Sequence, residues 1–256
     1  MATLDLRAQA AEIGLVIDPG EALDERGRAS AIATWRGRMV NEHVSARVFA
    51  ALIPQMMAAS VDPGLQAEVA DMIADELRHA RMCAAVVAAL GGEAIAELGP
   101  LAPVPAHEDV GPLEGLLRNI LSISCMSETV AVALIDAERR KAGPAPLART
   151  LREILADEVR HARFGWRLLE ALGPTLDAAL RARLDDYLTV AFAHLRAHEL
   201  AHLPARPAPS AAAEAVGVCD GHDARRLFFD TVEQVIVPGL EEHGFQAARA
   251  WSASMS

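Results

Sequence analysis

The heptad DELRHAR at residues 75–81 returns at 157–163 as DEVRHAR, with only Leu77 exchanged for Val159. Residues three apart on a helix share a face, so Glu76 and His79 project together, as do Glu158 and His161. A Glu-x-x-His pair on each of two helices is half the donor set of a carboxylate-bridged dimetal site. The other half is one glutamate from each of two further helices. From Asn119 to Ile135 the only charged residue is Glu128, and a lone carboxylate in so apolar a helix is costly to bury unless it is paired or binds a metal. Glu42 lies near the middle of WRGRMVNEHVSARVFAAL; its neighbour His43, about 100° further round a helix, points elsewhere. Glu42 precedes Glu76 by 34 residues and Glu128 precedes Glu158 by 30, so each half reads glutamate, loop, Asp-Glu-x-Arg-His-Ala-Arg. Four carboxylates and two imidazoles offset much of the charge of two divalent ions. Hard oxygen with imidazole suits iron or manganese better than a thiolate-seeking metal. Either heptad alone reads equally as a solvated helix face with i,i+4 charge pairs. The repeat, taken with Glu128 and Glu42, favours the metal site.

Long helices must position these groups. Pro and Gly cluster at 61–64, 91–112, 143–146, 173–174 and 204–210, and the stretches between them have helical period and few β-branched runs. The pattern predicts helices over 22–58, 64–90, 112–141, 146–172, 175–202 and 222–242, and identifies no strand. Pro54 is expected to kink or end the first helix, and Pro238 the last. Short links make neighbouring helices antiparallel, and the longer Pro-rich 91–112 connection fits the crossover that some four-helix bundles need. Residues 204–221 read as a surface excursion, with Pro204 stopping the helix before it. The expectation is an all-α single domain over 1–256. A four-helix bundle over 22–172 holds the metals, and accessory helices over 173–256 pack on it.

Composition narrows the partners. The chain of 256 residues is 52% hydrophobic, enough for a sizeable core, yet only 4% aromatic, a mix that favours closely approaching helices over sheets. Net charge is −11 with the signs interspersed and no basic stripe, which argues against nucleic acid. No run of eighteen apolar residues exists, so no membrane span and no membrane partner is expected. The opening residues lack the charged-then-apolar pattern of a signal peptide. Cys83, Cys125 and Cys219 are far apart with no CxxC pair, which reads as a reduced, cytoplasmic protein.

The ordered pattern E…ExxH…E…ExxH, from Glu42 to His161, resembles the ferritin-like diiron-carboxylate superfamily. Its extended form, Asp75-Glu76-x-Arg78-His79 and Asp157-Glu158-x-Arg160-His161, is similar to the DExRH repeats of bacterial multicomponent monooxygenase hydroxylases. The resemblance implies a ferritin-like bundle with two iron ions, Mn/Fe and Mn/Mn being the other pairs open to it. Glu76 and Glu158 would bridge the ions, with Glu42 and Glu128 terminal. It gives Asp75 and Asp157 a supporting role, hydrogen-bonded to a ligand histidine. Arg78 and Arg160 either pair with these acids or form surface salt bridges. Cys83, Cys125, Ala46, Ala131 and Ala133 are candidates to line a cavity beside the metals, although such cysteines are more often small core residues. Ribonucleotide reductase radical subunits carry a tyrosine where this chain has Cys83, and the sole tyrosine, Tyr187, lies outside the motif, which disfavours a stored tyrosyl radical. Arylamine N-oxygenases carry an extra histidine where this chain has Ile154. The implied activity is O2-dependent oxidation of a small organic molecule, with electrons from an external donor. The alternative within the superfamily is a ferroxidase or iron-handling protein with no organic substrate. The extra helices are open to a substrate pocket, plain packing or a homodimer interface.

One motif competes. His198-Glu199-Leu200-Ala201-His202 is formally HExxH, with His194 one turn earlier, and in zinc proteases that pattern binds zinc and supplies a general base. Such a site needs a third ligand and a cleft edged by a strand.

Overall fold

The computed structural model describes residues 2–203, 205 and 208–255; Pro204 lies outside them. The chain is all-α apart from a two-stranded antiparallel ribbon, β1 (Ala2–Asp5) with β2 (Ile95–Leu98), in the register Ala2 to Leu98. Neither strand was expected, because four-residue segments carry no readable period. Short α1 (Arg7–Ile13) follows β1, and the long helices begin with α2 (Glu25–Ala58) and α3 (Pro63–Ala89). Both start as capping chemistry dictates. Asp24 accepts from the Gly27 amide, and Asp62 accepts from Gly64 with Pro63 opening the helix. Pro54 does not end α2, which runs on to Ala58. Pro54 and Ala50 both face solvent, so the carbonyl that the missing N–H leaves behind is not buried.

The predicted 112–141 helix is three pieces: α4 (Pro112–Ile120), a π-helical turn over Leu121–Ser127, and α5 (Glu128–Lys141). Next come α6 (Ala145–Leu172), a 3-10 turn at Gly173–Thr175, α7 (Ala178–His202) and α8 (Ala211–Glu214). The predicted 222–242 helix becomes α9 (Gly221–Thr231), a second π turn at Val232–Ile236 and α10 (Val237–Glu242), and α11 (Ala247–Ser254) closes the described chain. Pro238 explains the second interruption, since it cannot donate into the ladder and its ring crowds the preceding turn.

Packing closes a ring of four: α2 lies along α3, α3 meets α6, α6 meets the π turn and α5, and α4 returns to α2. Two apolar clusters fill it. One holds Met39, Cys83, Leu147 and Ile154; the other holds Phe49, Met72, Cys125 and Phe164, and extends through α7, α9 and α11. α2, α3 and α6 each pass from one cluster to the other with a glutamate between (Glu42, Glu76 and Glu158), whereas Glu128 lies between Met126 and Val130 of the second cluster. The accessory helices α7 and α9 pack on the α4–α5 side. The stretch Pro112–Lys141 is long and apolar enough by composition to cross a membrane, with mean hydropathy 1.6, but half of that window is buried inside the protein.

Residues 211–220 differ from the expected surface excursion. Ala213 and Val216 are buried, and the Trp35 indole donates to the Val216 carbonyl at 2.8 Å. Gly217, at φ +98°, makes this possible: a Cβ there would meet Trp35 Nε1 at 2.6 Å.

Candidate metal centre

The six side chains singled out by the repeat converge between the two apolar clusters. Glu42, Glu76, His79 and Glu158 place one donor atom each within 4.8 Å of one another, as do Glu76, Glu128, Glu158 and His161. Glu76 and Glu158 belong to both quartets. Burial is deepest on the α3–α6 side, where both histidines are fully enclosed, while Glu42 and Glu128 keep 9% and 8% exposure. Among the six, Glu42 and Glu128 are the least covered.

The histidine geometry is reciprocal. His79 on α3 hydrogen-bonds through Nε2 to Asp157 on α6 at 3.0 Å, and His161 on α6 does so to Asp75 on α3 at 3.4 Å. Each aspartate thus serves the histidine of the opposite helix, a cross-link invisible in either heptad alone. A carboxylate at Nε2 holds a proton there and turns Nδ1 toward the cluster. Both Nδ1 atoms are buried with no hydrogen-bond partner. His79 Nδ1 lies 3.2 Å from Glu158 and 3.5 Å from Glu42; His161 Nδ1 lies 3.2 Å from Glu76, 3.4 Å from Glu158 and 3.9 Å from Glu128. Two orphaned imidazole nitrogens facing four carboxylates are costly as bare protein groups. They suit a pair of cations.

Arg78 and Arg160 realise both of their readings. Arg78 pairs with Asp157 and, at 3.1 Å, with Asp75; Arg160 pairs with Asp157 and, at 3.0 Å, with Asp75. Both guanidinium groups are partly solvent-facing, so the four charges form a closed ring over the histidines. Removing Asp157 breaks the His79 contact and half of that ring at once. Asp157→Ala is expected to weaken metal binding by roughly 10–100-fold, more than Asp75→Ala with its longer contact, as read by competition against a chromophoric chelator.

Charge among the protein groups follows the geometry. Burial, then the Glu158 and Glu42 carboxylates, push Glu76 well above the usual range; burial and Glu158 do the same to Glu128. Burial opposes charge on His79, but Glu158 and Glu42 outweigh it and raise the group to about 11. His161 is raised by Glu158 against the same burial. Burial would also raise Glu158, yet His161 and His79 hold it below the ordinary carboxylate range. Asp157, despite its burial, falls to about 2 between Arg160, His79 and Arg78. Glu76, Glu128, His79 and His161 all hold protons more tightly than usual and a cation must compete with those protons, so affinity for divalent ions is expected to rise with pH. Proton release in a weakly buffered titration checks this; pH-independent affinity would contradict it.

The sequence does not announce the π turn. It ends where Glu128 begins, and the Glu128 amide reaches back to Ile123. Close approach of α6 accompanies it: a Cβ on Gly165 would stand 2.5 Å from the Ser124 Cβ and 3.0 Å from the Cys125 sulfur. Gly165→Ala is expected to cost about 1–3 kcal/mol and to shift Glu128, read as a lower thermal midpoint with weaker loading at the Glu128 end of the centre.

The other candidates lie as follows. Cys83 and Cys125 are fully buried in opposite apolar clusters, and burial raises both thiols. Ala46 is buried, while Ala131 and Ala133 are half-buried on α5. Two surface grooves, one bordered by Met72, Arg160 and Arg167 and one by Ile13, Met82 and Arg149, include none of these residues and none of the six. His194, His198 and His202 run along the exposed face of α7, whose packing partners are α4, α11 and the first π turn. Burial raises Glu199 to about 7. No protein-family profile and no curated protein matches this chain.

Proposed function

We propose that the chain is a ferritin-like dimetal protein, most readily diiron, that uses O2 to oxidise a small organic molecule with electrons from an external donor. The observation that carries this reading is the sharing of Glu76 and Glu158 between two donor quartets, each completed by one orphaned histidine nitrogen. Glu42 and His79 would hold one ion, Glu128 and His161 the other, with Glu76 and Glu158 between them. A reduced iron pair, when bound, supplies the electrons that O2 reduction needs and that these side chains cannot provide.

The chain's own contribution is positional. Asp157 and Asp75 fix the tautomer and orientation of His79 and His161. The apolar clusters above and below keep bulk water from the cluster. Glu42 and Glu128, the least covered carboxylates, mark the side from which small molecules would arrive.

The test is O2 uptake by anaerobically Fe(II)-loaded protein, with and without a reductant and a panel of small apolar substrates. Uptake coupled to an oxidised organic product supports the oxygenase reading. Sustained uptake driven by Fe(II) alone would replace it with the iron-handling alternative, and uptake no faster than that of free Fe(II) would overturn both.

A further inference from the structure

The centre leaves unused the histidine row of α7. His194, His198 and His202 stand at i, i+4 and i+8 on one helical face, and all three are exposed. Their rings follow one another: centroids are 6.3 Å apart from His194 to His198 and 4.3 Å from His198 to His202. Among the described residues, the His194 and His198 side chains have neither a hydrogen-bond nor an ion-pair partner, so no protein group competes for their nitrogens.

His202 adds an independent observation. Its Nδ1 lies 2.8 Å from the His198 backbone carbonyl. A carbonyl only accepts, so Nδ1 carries the proton and donates. In the neutral ring this leaves Nε2 as a bare lone pair. A backbone carbonyl holding one ring nitrogen while the other is presented outward is the arrangement that orients metal-binding histidines.

We infer that His198 and His202, with His194 one turn away, form a second, solvent-facing site for a single nitrogen-preferring divalent cation such as zinc. Two imidazoles four residues apart on a helix form a chelating pair of the kind zinc motifs use. Water completes the coordination sphere. The site is not the catalytic zinc of a protease: it faces outward on a helix whose main packing partners among the described residues are α4, α11 and the first π turn, with no strand-edged cleft beside it. Its chemistry also differs from that of the buried centre. Imidazole donors with no carboxylate select zinc, copper or nickel, whereas the oxygen-rich buried cluster favours harder ions. The chain would thus carry two metal sites of different preference.

Calorimetric titration of the full chain with zinc ions alone tests this. His198→Ala/His202→Ala is expected to bind one ion per chain fewer than the wild type. Each single substitution should weaken that ion by more than the roughly 10–100-fold lost when a mere supporting partner is removed. Exposed positions and alanine's helix propensity keep the variants folded, which circular dichroism verifies. Glu158→Ala should retain the α7 ion, so the inference stands or falls separately from the buried centre. A double variant that binds as many zinc ions as the wild type, with the same affinities, would overturn it.

Discussion

Glu158→Ala is expected to lose both metal ions, whereas Glu42→Ala and Glu128→Ala should each lose one. Glu158 is the carboxylate that both histidines face, 3.2 Å from His79 Nδ1 and 3.4 Å from His161 Nδ1. It is also the acid that the two imidazoles hold ionised. Glu42 serves only the His79 quartet and Glu128 only the His161 quartet. Truncation at 158 therefore removes a donor from both positions and leaves two buried imidazoles without their common counter-charge. Removing one partner of a buried charge pair costs about 3–5 kcal/mol. The variant should thus be destabilised even before metal is added. Elemental analysis and thermal melts of the three variants side by side test the pattern, and equal metal loss in all three would argue against a shared carboxylate.

Chelation is the second large effect. Stripping metal from the loaded protein is expected to lower its thermal midpoint by roughly 8–16 °C per ion. A ligand present at about 1,000 times its dissociation constant stabilises the folded state by about 4 kcal/mol, and about 1 kcal/mol moves the midpoint of a domain this size by about 2–4 °C. The burial pattern gives the reason. Glu76, Glu158, His79 and His161 are almost wholly enclosed, so without cations their charges and protons face each other rather than water. Adding chelator should move the melt of the wild type far more than that of Glu158→Ala, which keeps only the α7 position. A wild-type melt indifferent to chelator would contradict the account.

Much of the centre was legible in the sequence because its information is local. A Glu-x-x-His pair fixes two donors on one face of one helix, and Glu128 stands out as the sole charge in an apolar stretch. Pro and Gly clusters between long periodic stretches gave most element bounds to within a few residues. What was not legible depends on contacts between distant segments. Asp75 reaches His161 and Asp157 reaches His79, 86 and 78 residues away, so the crossing of the two heptads exists only once α3 and α6 pack. The π turn before Glu128 goes with the approach of Gly165 on α6, to which no local propensity points. The burial of Ala213 and Val216 goes with one glycine passing over Trp35. The short strands and α8 are too brief for periodicity to register.

The most direct test is the difference in bound iron between the wild type and Glu158→Ala after anaerobic loading with Fe(II) and desalting. Comparing the two cancels any ion held on α7, so the count belongs to the buried centre. Two fewer irons per chain in the variant is the predicted result. A difference of one or none would mean that Glu158 does not join two metal positions, and the dimetal centre would have to be abandoned.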